Sequence, residues 1–525
     1  MGRSSRTVKQ LELEIFHNLF ASICDEMGVA LCRSSFSPNI KERKDFSCAL
    51  FDPHGRLIAQ AAHIPVHLGS MAYAAGAVIA EHNPRAGDVL IFNDPYEGGT
   101  HLPDITVLEA VETNGKVIGY LANRAHHSDI GGITAASMPL SRHIDEEGMR
   151  IAPQRLLVGG QWDTQLLAWI REQVRTPEER DGDLRAQVAA LHTGRERLRE
   201  TVRHYGEHCL TTAMNDLVEY AERTSRAAIR LIPDGTYAFE DVLDDDGAGA
   251  CDIPIRLCMR KRDDTLTVDF QGTSQAVRGN VNCPMPVTVS AVYYAVRCLF
   301  ARAAIVNHGS FIPLTIEAEE GSLVRAVYPS AVAAGNVETS TRIVDAMFGA
   351  LTQALPERIP AASQGTMNNL AIGGFDTDRG RNFAYYETMG GGMGARPHAD
   401  GMSAVHTHMT NTMNTPVESI ALHYPFRITA YAIRRGSGGA GRFRGGDGLV
   451  RELAVGVPCE CTLITERRVH APWGLQGGRP GATGRNLLYR KGHPPQELPA
   501  KITLTLEPGD RLRVETPGGG GFGQP

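Results

Sequence analysis

Two apolar runs, each closing on a glycine-bounded polar turn, constrain this chain more than any other feature. Val89-Leu90-Ile91-Phe92 leads into Asn93-Asp94-Pro95-Tyr96-Glu97-Gly98-Gly99-Thr100-His101-Leu102-Pro103-Asp104. Val117-Ile118-Gly119-Tyr120-Leu121 leads into Arg124-Ala125-His126-His127-Ser128-Asp129-Ile130-Gly131-Gly132. Short apolar runs bounded by turn residues read as β-strands. The two turns together hold three His and four acidic residues. A strand end is where a rigid scaffold can hold a reactive side chain still. Imidazole and carboxylate together form a ligand set for a divalent metal such as Zn or Mn.

The rest of the chain alternates between helical and strand-like stretches. At 525 residues it exceeds one ordinary hydrophobic core, so two or three domains, or one large domain with insertions, are expected. Residues 7–31 read as an amphipathic helix, with Leu11, Ile15, Leu19 and Ile23 at helical spacing and Gly28 near its end. Residues 46–60 read as a hairpin turning at Asp52-Pro53-His54-Gly55, and a second helix follows His67-Leu68-Gly69-Ser70-Met71. Strands at 88–93, 104–111 and 116–124 carry the polar turns. Residues 163–230 are charged and helical, a solvated helical pair standing off the main body. Strands resume at 236–239, 253–257 and 266–270, helices at 284–304 and 340–354. From 425 onward the chain is rich in glycine and strand. The expected fold is mixed α and β and multi-domain. A part carrying a strand-borne metal site spans 1–162, a helical insertion 163–232, a central α/β part 233–424 and a Gly-rich β part 425–525. The 56 glycines are above the usual share. Gathered in turns and near the C-terminus, they read as tight backbone geometry rather than flexible linker.

Composition narrows the function classes. Hydrophobic residues at 42% and charged residues at 21% fit a globular chain and exclude disorder. A net charge of -6 argues against a nucleic-acid partner. No apolar run reaches the length of a membrane span, so no membrane partner is expected. The N-terminus leads into a helix containing Glu12 and Glu14, unlike a signal peptide, and Arg6 departs from the myristoylation pattern. The ten Cys are scattered with no Cys-x-x-Cys, which reads as reduced thiols and a cytoplasmic location. Cys459 and Cys461 would share one face of a strand.

His101 and Asp104 stand three apart in one loop, and His126 ends a later strand. Three protein ligands leave positions open for water or substrate, which a catalytic site needs. In an extended segment His127 points away from His126. Asp129 is placed to orient a ligand imidazole. His127 and Asp129 are therefore taken as catalytic residues, and Asp45 as a weaker candidate ligand. Singly, the His-x-x-Asp pair reads as loop hydrogen bonding and His126-His127 as a surface pair. Together, with the Gly-Gly turns, they favour a metal. His63 and His67 read as capping or packing, as do His406 and His408, which would face one way on a strand. His398 and Asp400 fit an ordinary surface turn as well as a substrate-facing loop. Arg278-Gly279-Asn280-Val281-Asn282 and Ala334-Gly335-Asn336-Val337-Glu338-Thr339-Ser340 read as turns capping helices rather than anion sites. The chain has no Gly-x-x-x-x-Gly-Lys-Ser/Thr, Gly-x-Ser-x-Gly or His-Glu-x-x-His.

Several segments in order resemble the hydantoinase B family, also called the 5-oxoprolinase carboxyl-terminal half. They are Lys44-Asp45-Phe46-Ser47-Cys48-Ala49-Leu50-Phe51-Asp52, His67-Leu68-Gly69-Ser70-Met71, Asn93-Asp94-Pro95-Tyr96 through Asp104, His126-His127-Ser128-Asp129-Ile130-Gly131-Gly132, and Thr516-Pro517-Gly518-Gly519-Gly520-Gly521-Phe522-Gly523. The resemblance covers essentially the whole chain. It implies a hetero-oligomer with a hydantoinase A-type ATP-binding subunit, which handles ATP and Mg and phosphorylates a carbonyl-derived oxygen of the substrate. The B-type chain then completes the reaction at a divalent metal: Mn, Zn or Fe. The family's metal ligands carry over onto His101, Asp104 and His126, with Asp45 as a fourth. The absent P-loop agrees with ATP being handled elsewhere. The implied substrate is a cyclic amide: a hydantoin, 5-oxoproline or a lactam. An amide is a poor electrophile, phosphorylating its oxygen makes a better one, and a metal lowers the pKa of the attacking water. Other relatives carboxylate ketones, the second reading. A non-catalytic structural subunit is the third.

Overall fold

The two strands that carry the polar turns lie at the middle of a seven-stranded antiparallel sheet. The structure is a computed structural model that describes residues 2–62, 64–300 and 304–525. The chain opens with α1 (Gly2–Ser34) and a single turn, α2 (Pro38–Lys41). The hairpin β1 (Phe46–Phe51) and β2 (Leu57–Ala62) follows, then α3 (Val66–His82). Next come β3 (Val89–Phe92), β4 (Asp104–Thr113), β5 (Lys116–His126), β6 (Gln154–Val158) and β7 (Gln161–Trp162). The sheet order is β2-β1-β5-β4-β3-β6-β7. Its two faces are covered by different elements. Ala49, Leu90, Phe92, Tyr120 and Ala122 pack against α3, through Met71, Ala75 and Val78. Cys48, Ile105, Val107, Leu121 and Ala125 pack on the other side with α1 and the helices that follow.

Those helices are α4 (Thr164–Gln173), α5 (Pro177–Tyr205) and α6 (Glu207–Ile229). Where the sequence suggests a solvated pair standing off the body, three helices share the core of the sheet. Leu184, Val188, Leu191 and Leu198 of α5 are buried in the same cluster as α1 and β5. The charge density that reads as solvation sits on the outward faces, while the inward face carries buried Arg180, Asp183 and Gln187. In α1 the buried stripe is Phe16, Phe20, Ile23, Met27 and Leu31, and Ile15 is 46% exposed. The stripe that follows the larger side chains wins over the Ile15/Leu19 register, and the helix runs past Gly28 to Ser34. The Glu12–Ser34 part of α1 is long and apolar enough to cross a membrane by length and composition, which corrects the expectation that no run is. Its apolar residues are nonetheless those packed in this core.

A second sheet, ordered β11-β10-β9-β8, is built from β8 (Gly235–Asp245), β9 (Cys251–Arg262), β10 (Thr265–Asp269) and β11 (Leu314–Glu317). It packs on α7 (Met285–Arg297) and α8 (Ser340–Ala354). A π-helical turn, Gly335–Thr339, enters α8. The remainder is two sheets face to face. One is ordered β13-β12-β16-β19, from β12 (Asn369–Asp376), β13 (Arg381–Glu387), β16 (Cys459–Ile464) and β19 (Lys501–Leu506). The other is ordered β14-β15-β20-β17-β18, from β14 (Phe426–Arg434), β15 (Gly448–Val455), β17 (Arg485–Tyr489), β18 (Gln496–Leu498) and β20 (Arg511–Glu515). Ile372, Tyr385, Leu453, Leu463 and Val514 fill the space between them. A short helix, α9 (Val417–His423), closes one end. Cys459 and Cys461 are buried in this layer, and all ten thiols are free.

The glycine-rich end is tightly packed. Gly519 donates to Gly446 O at 2.9 Å, Gly520 to Ala362 O at 2.8 Å and Gly521 to Arg479 O at 2.9 Å. A Cβ on these three residues would lie 2.1, 2.0 and 2.3 Å from Met393 O, Trp473 O and Ala440 O. Three successive residues thus crowd three different backbones, leaving no room for side chains around this rod.

Candidate metal centre

Strand register builds the first half of the site. Asp104 opens β4 and is the cross-strand partner of His126, the last residue of β5. The amide of His126 donates to Asp45 O at 3.0 Å, which brings the start of β1 to the same sheet end. Alternation along β5 sends Arg124 and His126 to the α3 face and His127 to the face covered by α5.

The loop from Asn93 to Pro103 folds His101 back over Asp104. Asp94 caps it, accepting from Tyr96 N at 3.0 Å through its side chain and from Gly99 N at 2.7 Å through its carbonyl. Gly98 takes φ +103°, and a Cβ on Gly99 would lie 2.2 Å from Asn93 O, so both glycines are required by the backbone path. Arg124 clamps the loop from below, its guanidinium reaching Gly98 O at 3.0 Å, Ser70 Oγ at 2.7 Å and Thr106 Oγ1 at 2.8 Å. Burial draws its pKa down to about 10, against the pull of Asp104.

His101, Asp104 and His126 are all buried, and each offers a ligand atom within 4.8 Å of the others. Asp104 Oδ2 lies 3.4 Å from both His101 Nε2 and His67 Nε2, and accepts from Thr100 Oγ1 at 2.5 Å. Each ring is held through its Nδ1: His67 by Ser47 Oγ at 3.0 Å, His101 by Ala333 O at 3.2 Å, His126 by Asn39 Nδ2 at 3.0 Å. Tyr386 stacks on His126 with centroids 4.6 Å apart. What remains is unusual for a protein interior: His101 Nε2, His126 Nε2 and Asp104 Oδ1 are buried without a hydrogen-bond partner. The crevice holding them is about 20 Å³, room for one water or one ion.

The charges are set by one another. Burial would raise the Asp104 carboxyl, but His101 and His67 hold it well below the usual carboxylate range. Burial pulls His101 down, and Asp104 overrides it, leaving the imidazole above its ordinary value. His126 is driven well down, first by burial and then by His101. Asp45 lines the same crevice. Burial holds its carboxyl above the usual value, opposed by Arg43 at 3.9 Å. It lies outside the set of three whose ligand atoms cluster.

His127 and Asp129, expected as catalytic residues, are elsewhere. His127 Nε2 meets Gln187 Oε1 of α5 at 2.9 Å, in a fully buried layer with Arg180 and Asp183. Burial, then Arg180, draws its pKa to about 4. Asp129 accepts from Arg175 N at 2.5 Å and Thr176 N at 3.0 Å, tying the strand end to the start of α5, and orients no imidazole. His67 in turn is no mere packing residue, because α3 begins one residue before it and aims its ring at Asp104. Its place in the family-like segment His67–Met71 was the sequence signal. Arg124 could have been found from its position two residues before His126, on the same strand face. Asn39, Arg43 and Tyr386 carried no local signal. Arg43 is wholly buried and donates to Tyr386 O at 2.9 Å and Thr388 Oγ1 at 2.9 Å, joining the first sheet to β13. His63 lies outside the described residues. His406 and His408 sit on a loop rather than a strand, and His398 and Asp400 are exposed.

Comparison with known proteins agrees with this geometry. A hydantoinase B/oxoprolinase family profile matches residues 9–525. The 5-oxoprolinase 1 of Arabidopsis thaliana is 38% identical over 98% of the chain, which spans 42% of that longer protein. The B component of a putative D-/L-hydantoinase from a Pseudomonas species is 30% identical, covering 99% of this chain and 91% of its own. The crystal structure of an ATP-dependent caprolactamase from Pseudomonas jessenii superposes with a TM-score of 0.92 at 27% identity, covering 98% of this chain and 91% of that one.

Proposed function

The chain belongs to the hydantoinase B/oxoprolinase family, and from that premise we propose that it is the metal-bearing part of an ATP-dependent enzyme that opens a cyclic amide. The observation that carries the reading is the convergence of three orphaned ligand atoms, on His101, Asp104 and His126, in a crevice the size of one ion. Two imidazoles and a carboxylate, each oriented from behind, fit Mn, Zn or Fe. These three residues would hold the cation, with Asp45 at the crevice wall as a further ligand. A divalent cation held there supplies Lewis acidity, polarising a carbonyl oxygen and lowering the pKa of a water.

The chain's own residues supply the rest. Thr388, Thr410 and Thr412 present hydroxyls to the crevice. Arg43 donates to Thr388 Oγ1 at 2.9 Å and to Thr412 Oγ1 at 3.3 Å. A guanidinium behind two hydroxyls strengthens them as donors toward the negative charge that gathers on an amide oxygen as the ring opens. ATP activation of the amide belongs to a hydantoinase A-type ATP-binding part. That part is a separate polypeptide where the relative is a hydantoinase B component, and lies on the same polypeptide where the relative is a longer 5-oxoprolinase.

Metal analysis of the purified chain beside His101→Ala and Asp104→Ala tests the site. The parent should carry near-stoichiometric divalent metal, and each variant should lose it while keeping a cooperative unfolding transition. A metal-free parent would overturn the reading. With the ATP-binding partner added, ring opening should proceed without bicarbonate. A strict bicarbonate requirement would move the chain to the ketone carboxylases.

A further inference from the structure

A second cavity, of about 370 Å³, lies beside the metal crevice. Its size suits a small organic ligand. Tyr294, Phe348, Met393 and Met402 give it apolar walls, and His406 and His408 bring imidazoles into it. Both imidazoles have an Nε2 that is buried and unpartnered. The His408 side chain is 7% exposed, and its Nε2 stands 3.6 Å from Asp345 Oδ1, beyond hydrogen-bond range. Tyr294 and Phe348 stand edge-on to the His408 ring at 5.9 and 5.4 Å. His408 is also held at φ +58°, a strained backbone for a non-glycine residue of the kind that gathers at binding sites.

The loop bearing these imidazoles is shared with the metal crevice. His406 Nδ1 lies 3.4 Å from Thr410 Oγ1, and Thr410 and Thr412 line the crevice. One side-chain pair therefore separates the two spaces. The lining also selects by charge. Burial, then Arg43, brings His406 to about 4, so it is an uncharged donor-acceptor at neutral pH. Asp345 behind His408 disfavours an anion. Arg358, at the rim, already donates to Leu299 O at 3.0 Å.

We propose that this pocket docks the uncharged ring of a cyclic amide, its carbons against Tyr294, Phe348, Met393 and Met402 and its amide group on His406 and His408. The location rests on the pocket alone. The choice of a cyclic amide rests on the function proposed above.

Cys298 is exposed and lines this pocket, which makes it a reporter in the unaltered chain. The experiment follows maleimide labelling of individual cysteines by peptide mass spectrometry, with δ-valerolactam as the probe. Labelling of Cys298 should slow roughly tenfold once lactam reaches about ten times its Kd. The exposed Cys209 and Cys251 should label at unchanged rates. Met402→Trp, which fills the mouth, should abolish the protection, and His101→Ala should retain it. Glutarate, an anion of similar length, should give none. An unchanged Cys298 rate, equal slowing of all three thiols, or protection by glutarate would overturn the proposal. Metal in the parent without protection sinks the pocket alone. Protection in a metal-free parent sinks the metal reading and leaves the pocket standing.

Discussion

His126 and His127 are adjacent and do opposite work, because a strand sends neighbours to opposite faces. His126 turns to the crevice, where its Nε2 has no partner. His127 turns to α5, where Gln187 receives it. His127→Ala should therefore destabilise the fold by roughly 2–5 kcal/mol, the cost of a cavity at a large buried side chain. It should leave the metal content at the parent level, measured by denaturant unfolding and metal analysis on the same sample. Loss of metal with full stability would return His127 to the site. The sequence shows that His101, Asp104 and His126 can meet, since two are three residues apart and the third ends a strand. It does not show that His67 joins them, because that depends on where α3 begins and which way it lies on the sheet.

At the scale of elements, the glycine-rich C-terminal run is the least tolerant segment. Gly518–Gly521 reads in the sequence as tight backbone, and the structure gives the reason: each residue faces a different neighbouring carbonyl at a distance no Cβ can share. Gly519→Ala should cost at least about 1–3 kcal/mol, the usual range for overpacking, and lower the melting temperature accordingly. A variant as stable as the parent would mean that the backbone at Met393 yields freely. Because Met393 also lines the second pocket, the rod fixes one wall of that pocket. The helical elements show the converse. Residues 163–230 announce helices through their pattern, yet their charge hides the buried face on which α5 meets the sheet.

Across the whole molecule, buried charges join parts that are far apart in sequence. Glu466 accepts from Lys501 Nζ at 2.6 Å and from Asp244 N at 2.9 Å, linking the second sheet to the C-terminal pair. Glu338, in the π-helical turn, accepts from Asn369 Nδ2 at 2.7 Å, and Tyr386 donates to Asn369 Oδ1 at 2.7 Å. Burial, and then the charge of Glu466, raises the Glu338 carboxyl to about 8, while the unfolded chain titrates near 4.5. Between those values the folded chain holds a proton that the unfolded chain has released. Its contribution is therefore complete below about 4.5 and declines as pH rises through about 8. Thermal melts across pH 5 to 8 should show that decline reduced in Glu338→Gln, which mimics the protonated form. An identical slope in both proteins would refute it.

The sequence by itself determined the strands, the helix at 340–354, the glycine-dense end and the His101–Asp104 pair, because each follows from local periodicity, turn chemistry or short spacing. Tertiary structure alone decided that Asn39 and Tyr386 hold His126, that Arg43 spans to β13, and that His406 stands one hydroxyl from the crevice. Those contacts join residues far apart along the chain. A buried polar atom is satisfied by whatever the fold brings against it, which no local pattern encodes.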